Sequence, residues 1–193
     1  MKIGITLNEV LRDYLGQIHH VYEKYLGPVD FEPEDIKSFD LLENYKFNDK
    51  LELNKFLYTN CSLEIFGHAD QTEFNIFNTL NNFITDINDE TEHEVYIISR
   101  EVNTSIPATL FFLSKVICKC ENIKFVQNYE EKWEHVDVLI TANPITLSTK
   151  PKDKISIKIK HPYNESVDSD YEFDKASDAL DVDVIQKIIE KND

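Results

Sequence analysis

The sequence predicts an α/β fold, an open and mostly parallel sheet flanked by helices. Three observations predict it. Short apolar runs rich in Ile and Val recur along the chain, as in strands buried on both faces. Stretches with apolar residues three and four apart lie between them, as in helices that pack one face on a sheet. The links are short, which suits alternating β and α units. At 193 residues the chain has the length for one sizeable core, and residues 1–193 are expected to form a single domain.

Lys2 to Leu7 reads as the first strand, and Asn8 and Glu9 punctuate it. A helix is expected over residues 10–26, with Tyr14, Ile18, Tyr22 and Tyr25 near one stripe and Gly27–Pro28 as its stop. Residues 28–68 read as a small helical insertion, with short helices around 49–58 and from Cys61. It forms either a lid over the strand tips or extra surface packing. Residues 70–87 give the clearest helical pattern, Phe74, Phe77, Leu80, Ile84 and Ile87, with Asp70 as cap and Glu73 three residues on.

EVYIISRE, residues 94–101, is the second strand, and Ile106 to Lys119 the helix returning from it, with Pro107 in its first turn. IKFV at 123–126, DVLI at 137–140 and ISIKI at 155–159 complete a five-stranded reading. The alternating polarity of the last suggests a strand near an edge. The final helix is expected over residues 175–190, on Leu180, Val184, Ile188 and Ile189.

Thirty-six acidic side chains against 20 basic give a formal charge of −16, which disfavours nucleic acid as a partner. Residues 165–183 alone carry eight acidic groups against Lys175. No apolar run approaches the length of a membrane span. Structure is expected from the first residues, with no signal peptide. Cys61, Cys118 and Cys120 are too few and too odd in number for a disulfide framework and suit a reducing compartment. Neither zinc spacing nor a phosphate-cradling glycine loop occurs, so no metal and no cofactor are expected.

The strand ends carry a resemblance. KIGITLNEVLRD, YIISRE, EKWEHVDVLITANP and KPKDKISIKIKHPYN follow the order of motifs of the haloacid-dehalogenase-like superfamily. The closest likeness is to its 5'-nucleotidase-like branch, which includes proteins of bacterial viruses. It covers roughly residues 2–160 and implies a Rossmann-like sheet. Enzymes of this group use an aspartate nucleophile, a second aspartate two residues later, a Ser or Thr, a lysine and a late acidic pair that holds magnesium. On this resemblance Thr6 stands at the nucleophile and Asn8 at the general acid/base. Ser99 matches the phosphate-binding hydroxyl, Lys132 the lysine, and Thr141 and Ala142 the acidic pair. Lys124 is the alternative lysine.

An amide neither takes nor gives a proton near neutral pH, and Thr is a weak nucleophile without a base. Magnesium prefers carboxylate oxygen, which these positions lack. Glu9 is a nearby carboxylate expected to point to solvent. The sequence therefore leads to the expectation of a protein that is not an enzyme. It would be a structural or adaptor component acting through protein contacts, such as a virion ring or connector, located in a virion or the host cytoplasm. A basic protein surface or neighbouring subunits would be the partner, with a homo-oligomer as one form. Tyr171 and Phe173 would anchor the acidic segment within 165–193 on that partner. The alternatives are a magnesium-dependent nucleotidase-like phosphohydrolase with an altered site, or a phosphate-binding module keeping Ser99 and Lys132. Arg100 and Lys132 could equally pair with surface carboxylates.

Overall fold

The computed structural model describes residues 1–192. In chain order it contains β1 (Lys2–Ile5), α1 (Tyr14–Leu26), α2 (Leu41–Asn44), α3 (Lys50–Lys55), α4 (Ile76–Glu90) and β2 (Glu94–Arg100). These are followed by α5 (Ser105–Lys115), β3 (Ile123–Val126), β4 (Val138–Thr141), α6 (Pro144–Ser148) and β5 (Ile155–Ile159). The last three are β6 (Tyr171–Phe173), α7 (Ala176–Ala179) and α8 (Val182–Asn192). The sheet order is β3-β2-β1-β4-β5-β6, with every neighbouring pair parallel. The predicted α/β architecture is therefore present, with a sixth strand.

β1 sits at the middle of the sheet because nothing in it needs water beyond Lys2: Ile3, Gly4 and Ile5 are all buried. Gly4 is required by close approach, since a Cβ there would lie 2.7 Å from Val136 Cγ1. Side chains alternate across the sheet. Ile3, Ile5, Ile97, Val138 and Ile140 enter a large core. Ile98, Val126 and Leu139 enter a smaller one, closed by Trp133 and Val136.

Several elements differ from expectation. The first helix starts at Tyr14, not at residue 10, because Glu9 takes a left-handed backbone and residues 8–13 make a tight turn. There the N–H groups of Val10, Leu11 and Arg12 all converge on the Leu7 carbonyl. Helix α4 starts at Ile76 behind a left-handed Asn75. Asp70 is not its cap. Glu73 instead accepts hydrogen bonds from Ser177 N and Oγ, and Phe74 is 95% exposed rather than packed. The C-terminal helix is two, α7 and α8, turning at Leu180 and Asp181.

β5 lies near an edge, as its alternating polarity suggested, with β6 outside it. β6 covers it, and its polar Ser156 and Lys158 are buried with partners: Ser156 N and Oγ with Asp170, Lys158 with Glu172 and the Val167 carbonyl. Tyr171 and Phe173 are half-buried against the main core, and the Tyr171 hydroxyl accepts a hydrogen bond from Asn192. Their two-residue spacing serves strand packing, and both side chains keep partial exposure. Residues 28–68 fold into short helical pieces whose Ile36, Leu41, Tyr45, Leu53, Phe56 and Leu57 join the main core.

Candidate functional site

The carboxyl ends of β1, β2 and β4 meet where an open parallel sheet places its ligands. Thr6 follows β1, and its Oγ1 donates to Thr141 Oγ1 at 3.2 Å. Ser99 ends the neighbouring strand. Thr6, Asn8, Glu9, Ser99, Arg100, Lys132 and Asn143 line one small pocket of about 50 Å³. Tyr14, Phe39, Tyr58, Tyr129 and Tyr163 wall it, and they also line an adjoining groove of about 460 Å³ reaching under Leu42 and Leu57. The insertion thus contributes Phe39 and Tyr58 to the mouth. The structure brings Thr6, Asn8, Ser99 and Lys132 together as the sequence places them. Thr141 lies directly behind Thr6, and Ala142 is buried outside the pocket.

Lys132 sits in a 3-10 turn, Glu130–Glu134, leading into β4. Trp133 locks that turn: its ring lies in the smaller core and its Nε1 donates to the Thr146 carbonyl at 2.8 Å. Lys132 is 3% exposed, and its Nζ has no hydrogen-bond or ion-pair partner among the described residues; it stands 5.3 Å from the Tyr129 ring centroid. Burial pulls its ammonium down to about 7, opposed by the charge of Glu101 and reinforced by that of Arg100.

Beneath the pocket lies a residue that the sequence reading missed. Arg12 is fully buried and uses all five of its donors. Nε and Nη2 reach Asn8 Oδ1, Nη2 also reaches Glu101 Oε1 at 2.7 Å, and Nη1 reaches Thr109 Oγ1 and the Phe66 carbonyl. The rings of Phe66 and Phe112 flank its guanidinium. Arginine can only donate, so Asn8 must turn its oxygen to Arg12 and keep its Nδ2 donor for the pocket. Glu101 Oε1 also accepts from Ser99 Oγ at 3.0 Å, while Oε2 is buried with no hydrogen-bond partner. The only sequence signal for this network was an arginine four residues after Asn8 and a glutamate two after Ser99.

Glu9 corrects a second reading. It is 9% exposed and turned inward, not to solvent. Its Oε1 accepts from the N–H groups of Tyr14 and Leu15 at 2.8 and 2.7 Å, at the start of α1. Burial nevertheless pushes its carboxyl up to about 7, with Asp13 adding to the shift. His161 Nε2 lies 2.9 Å from the Glu9 carbonyl and must donate there, so a neutral ring presents a bare Nδ1, 4.0 Å from Glu9 Oε2. Burial lowers the His161 imidazole, which favours that neutral ring.

The magnesium of the family in the resemblance does not fit these side chains. Thr141 Oγ1 is occupied by Thr6 Oγ1 and Asn143 N–H, and the Ala142 carbonyl by Asn164 Nδ2. Lys132 lines the same pocket and offers no ligand to a cation once protonated, and Glu9 Oε1 is committed to two N–H groups.

No family model matches the chain, and no curated protein matches it. Its fold is similar to the crystal structure of a "putative haloacid dehalogenase-like hydrolase" from Burkholderia xenovorans LB400, at 10% identity and a TM-score of 0.51, covering 95% of this chain and 96% of that one. That neighbour corrects the expectation of a protein that is not an enzyme: the fold is shared with a protein named as a putative hydrolase. With six parallel strands in this order and the motif positions gathered at their carboxyl ends, the chain has a haloacid-dehalogenase-like fold.

Proposed function

We propose that this chain binds the phosphate of a small organic ester in the pocket at the strand tips. The observation that carries the reading is Lys132, a nearly dry lysine lining the pocket, its Nζ without a hydrogen-bond or ion-pair partner among the described residues. A buried cation is costly unless it is paired, so a site that keeps one unpaired is prepared for an anion. The surroundings agree. Thr6, Ser99 and Asn8 supply hydroxyl and amide groups, and Arg100 adds charge at the mouth. The Arg12 charge is spent on Glu101, leaving Lys132 to attract the ligand. About 50 Å³ admits a small oxyanion but not a larger head group, and the aromatic groove receives the organic part.

The test is titration calorimetry with inorganic phosphate and phenyl phosphate. Both should bind at one site, the phenyl ester more tightly, and Lys132→Met should weaken both at least tenfold while leaving the circular dichroism unchanged. Equal affinity in that variant would remove the proposal.

A second reading, hydrolysis of the bound ester, is favoured by Glu9. It lines the same pocket and titrates near neutrality, as a group that passes protons should. Release of p-nitrophenol from p-nitrophenyl phosphate should then fall at least tenfold in Glu9→Gln, in a variant that still binds phosphate. Turnover indifferent to Glu9 would refute this role. The adaptor role, drawn from the missing acid groups at the motif positions and from the acidic segment within residues 165–193, calls on surfaces outside this pocket.

A further inference from the structure

We propose that anion binding in this pocket is proton-coupled above neutral pH: there Lys132 is mostly neutral when the pocket is empty and takes up a proton from solvent as the anion enters. The inference rests on the phosphate-binding reading and specifies how that site is regulated. Its basis is the arrangement around Nζ. On its own turn, Glu130 and Glu134 are exposed, and Glu131 is committed to Gln127 N–H and the Asn128 amide, so none neutralises it. From β2 comes Arg100, a like charge, and Ser99, which is neutral. Glu101, just past β2, has its Oε1 shared between Arg12 and Ser99, and it stands too far from Nζ for an ion pair. From β1 comes Thr6. The turn after β1 brings Asn8 and Glu9, whose carboxyl is itself half-protonated near pH 7. Tyr14, Tyr58, Tyr129 and Tyr163 close the remaining sides with neutral phenols, and His161 lies behind Glu9.

No ion pair in the empty pocket therefore balances a charged Lys132; the more distant charge of Glu101 and the Tyr129 ring offset burial only in part, and its titration is brought down to about 7. A dianion in contact with Nζ reverses the balance, because an opposite charge in a dry site favours the charged lysine. At pH 8 the empty site holds Lys132 mostly as the free amine. The occupied site holds it as ammonium, so one proton is drawn in per anion bound.

Inorganic sulfate is the probe, because it does not titrate between pH 6 and pH 9. Glu9 would also repel an anion once deprotonated, so the experiment is run on the parent and on Glu9→Gln. In Glu9→Gln the sulfate dissociation constant should be level below about pH 7 and rise about tenfold for each pH unit above it. Calorimetry at pH 8 in two buffers of different ionisation heat should show close to one proton taken up. Lys132→Arg, which stays charged throughout, should bind with no such rise once Glu9 is also replaced. If Lys132→Arg fails to fold, the buffer comparison on Glu9→Gln decides alone. Sulfate binding in Glu9→Gln that is flat from pH 6 to pH 9, with no proton uptake, overturns the coupling while leaving the binding site standing. Absence of sulfate binding at every pH overturns both.

Discussion

Three buried ionisable side chains, Arg12, Glu9 and Lys132, define the site, and each leaves a measurable mark. Arg12 holds Asn8, Glu101, Thr109 and the Phe66 carbonyl at once. Arg12→Met should destabilise the chain by about 3–5 kcal/mol, because it strands the Glu101 charge in the interior. Urea unfolding at pH 7.5 checks this. Glu101→Gln in the same background should recover part of the loss; no recovery would show that the ion pair is not the cause. Glu9 and Lys132 act through pH with opposite slopes. The folded carboxyl of Glu9 titrates near 7 against 4.5 when unfolded, so the folded state binds more protons in that window. Stability from this group is present below pH 4.5 and falls by roughly 3 kcal/mol as pH rises to 7. Lys132 titrates near 7 when folded against 10.5 unfolded, so its contribution rises between pH 7 and 10.5. The two together place a stability minimum near neutrality. Glu9→Gln should remove its acid side, and unfolding curves from pH 4.5 to 10 read the result. Of these three residues only Lys132 was legible in the sequence, and only through the resemblance. A buried arginine or glutamate in a turn carries no pattern of its own, since its partners are brought from distant parts of the chain.

At the scale of elements, apolar runs were legible and irregular ends were not. Five strands lie where Ile- and Val-rich segments placed them; burial on both faces dictates that composition in β1, β4 and β5, while β3, at the sheet edge, is only partly buried. β6 carries Glu172 between two aromatics in an acidic stretch, so no run of apolar residues announces it. What holds it is Asp170, which accepts from Ser156 N and Oγ and pairs with Lys150. Asp170→Ala should cost about 1–3 kcal/mol, leaving the Ser156 N–H and hydroxyl proton of β5 without their acceptor. Amide exchange at residues 171–173 should speed up more than exchange in β1. Equal protection in the variant would mean that β6 is held by its aromatic packing instead. The start of α4 misled because Phe74 fits the helical spacing, yet Asn75 adopts a left-handed backbone immediately after it. Local backbone geometry of this kind is set by what the chain must reach, here Ser177 from Glu73, and not by periodicity.

Across the whole molecule, charge and topology act together. A chain of net charge −16 repels polyanions, yet it concentrates Lys132 and Arg100 in one recess at the strand tips. On the proposed reading that combination suits a small anion and disfavours nucleic acid. Composition made the second half of this statement legible; the first half needed the fold, because Thr6, Ser99 and Lys132 come from separate segments that only the parallel sheet brings together. The measurement that tests this account most directly is a crystal structure of the protein grown with tungstate, an electron-dense phosphate mimic. The account predicts one tungstate in the pocket, with Lys132 Nζ and the hydroxyls of Thr6 and Ser99 at hydrogen-bonding distance. A pocket without tungstate, in crystals where Lys132 turns to pair with the free oxygen of Glu101, would contradict it.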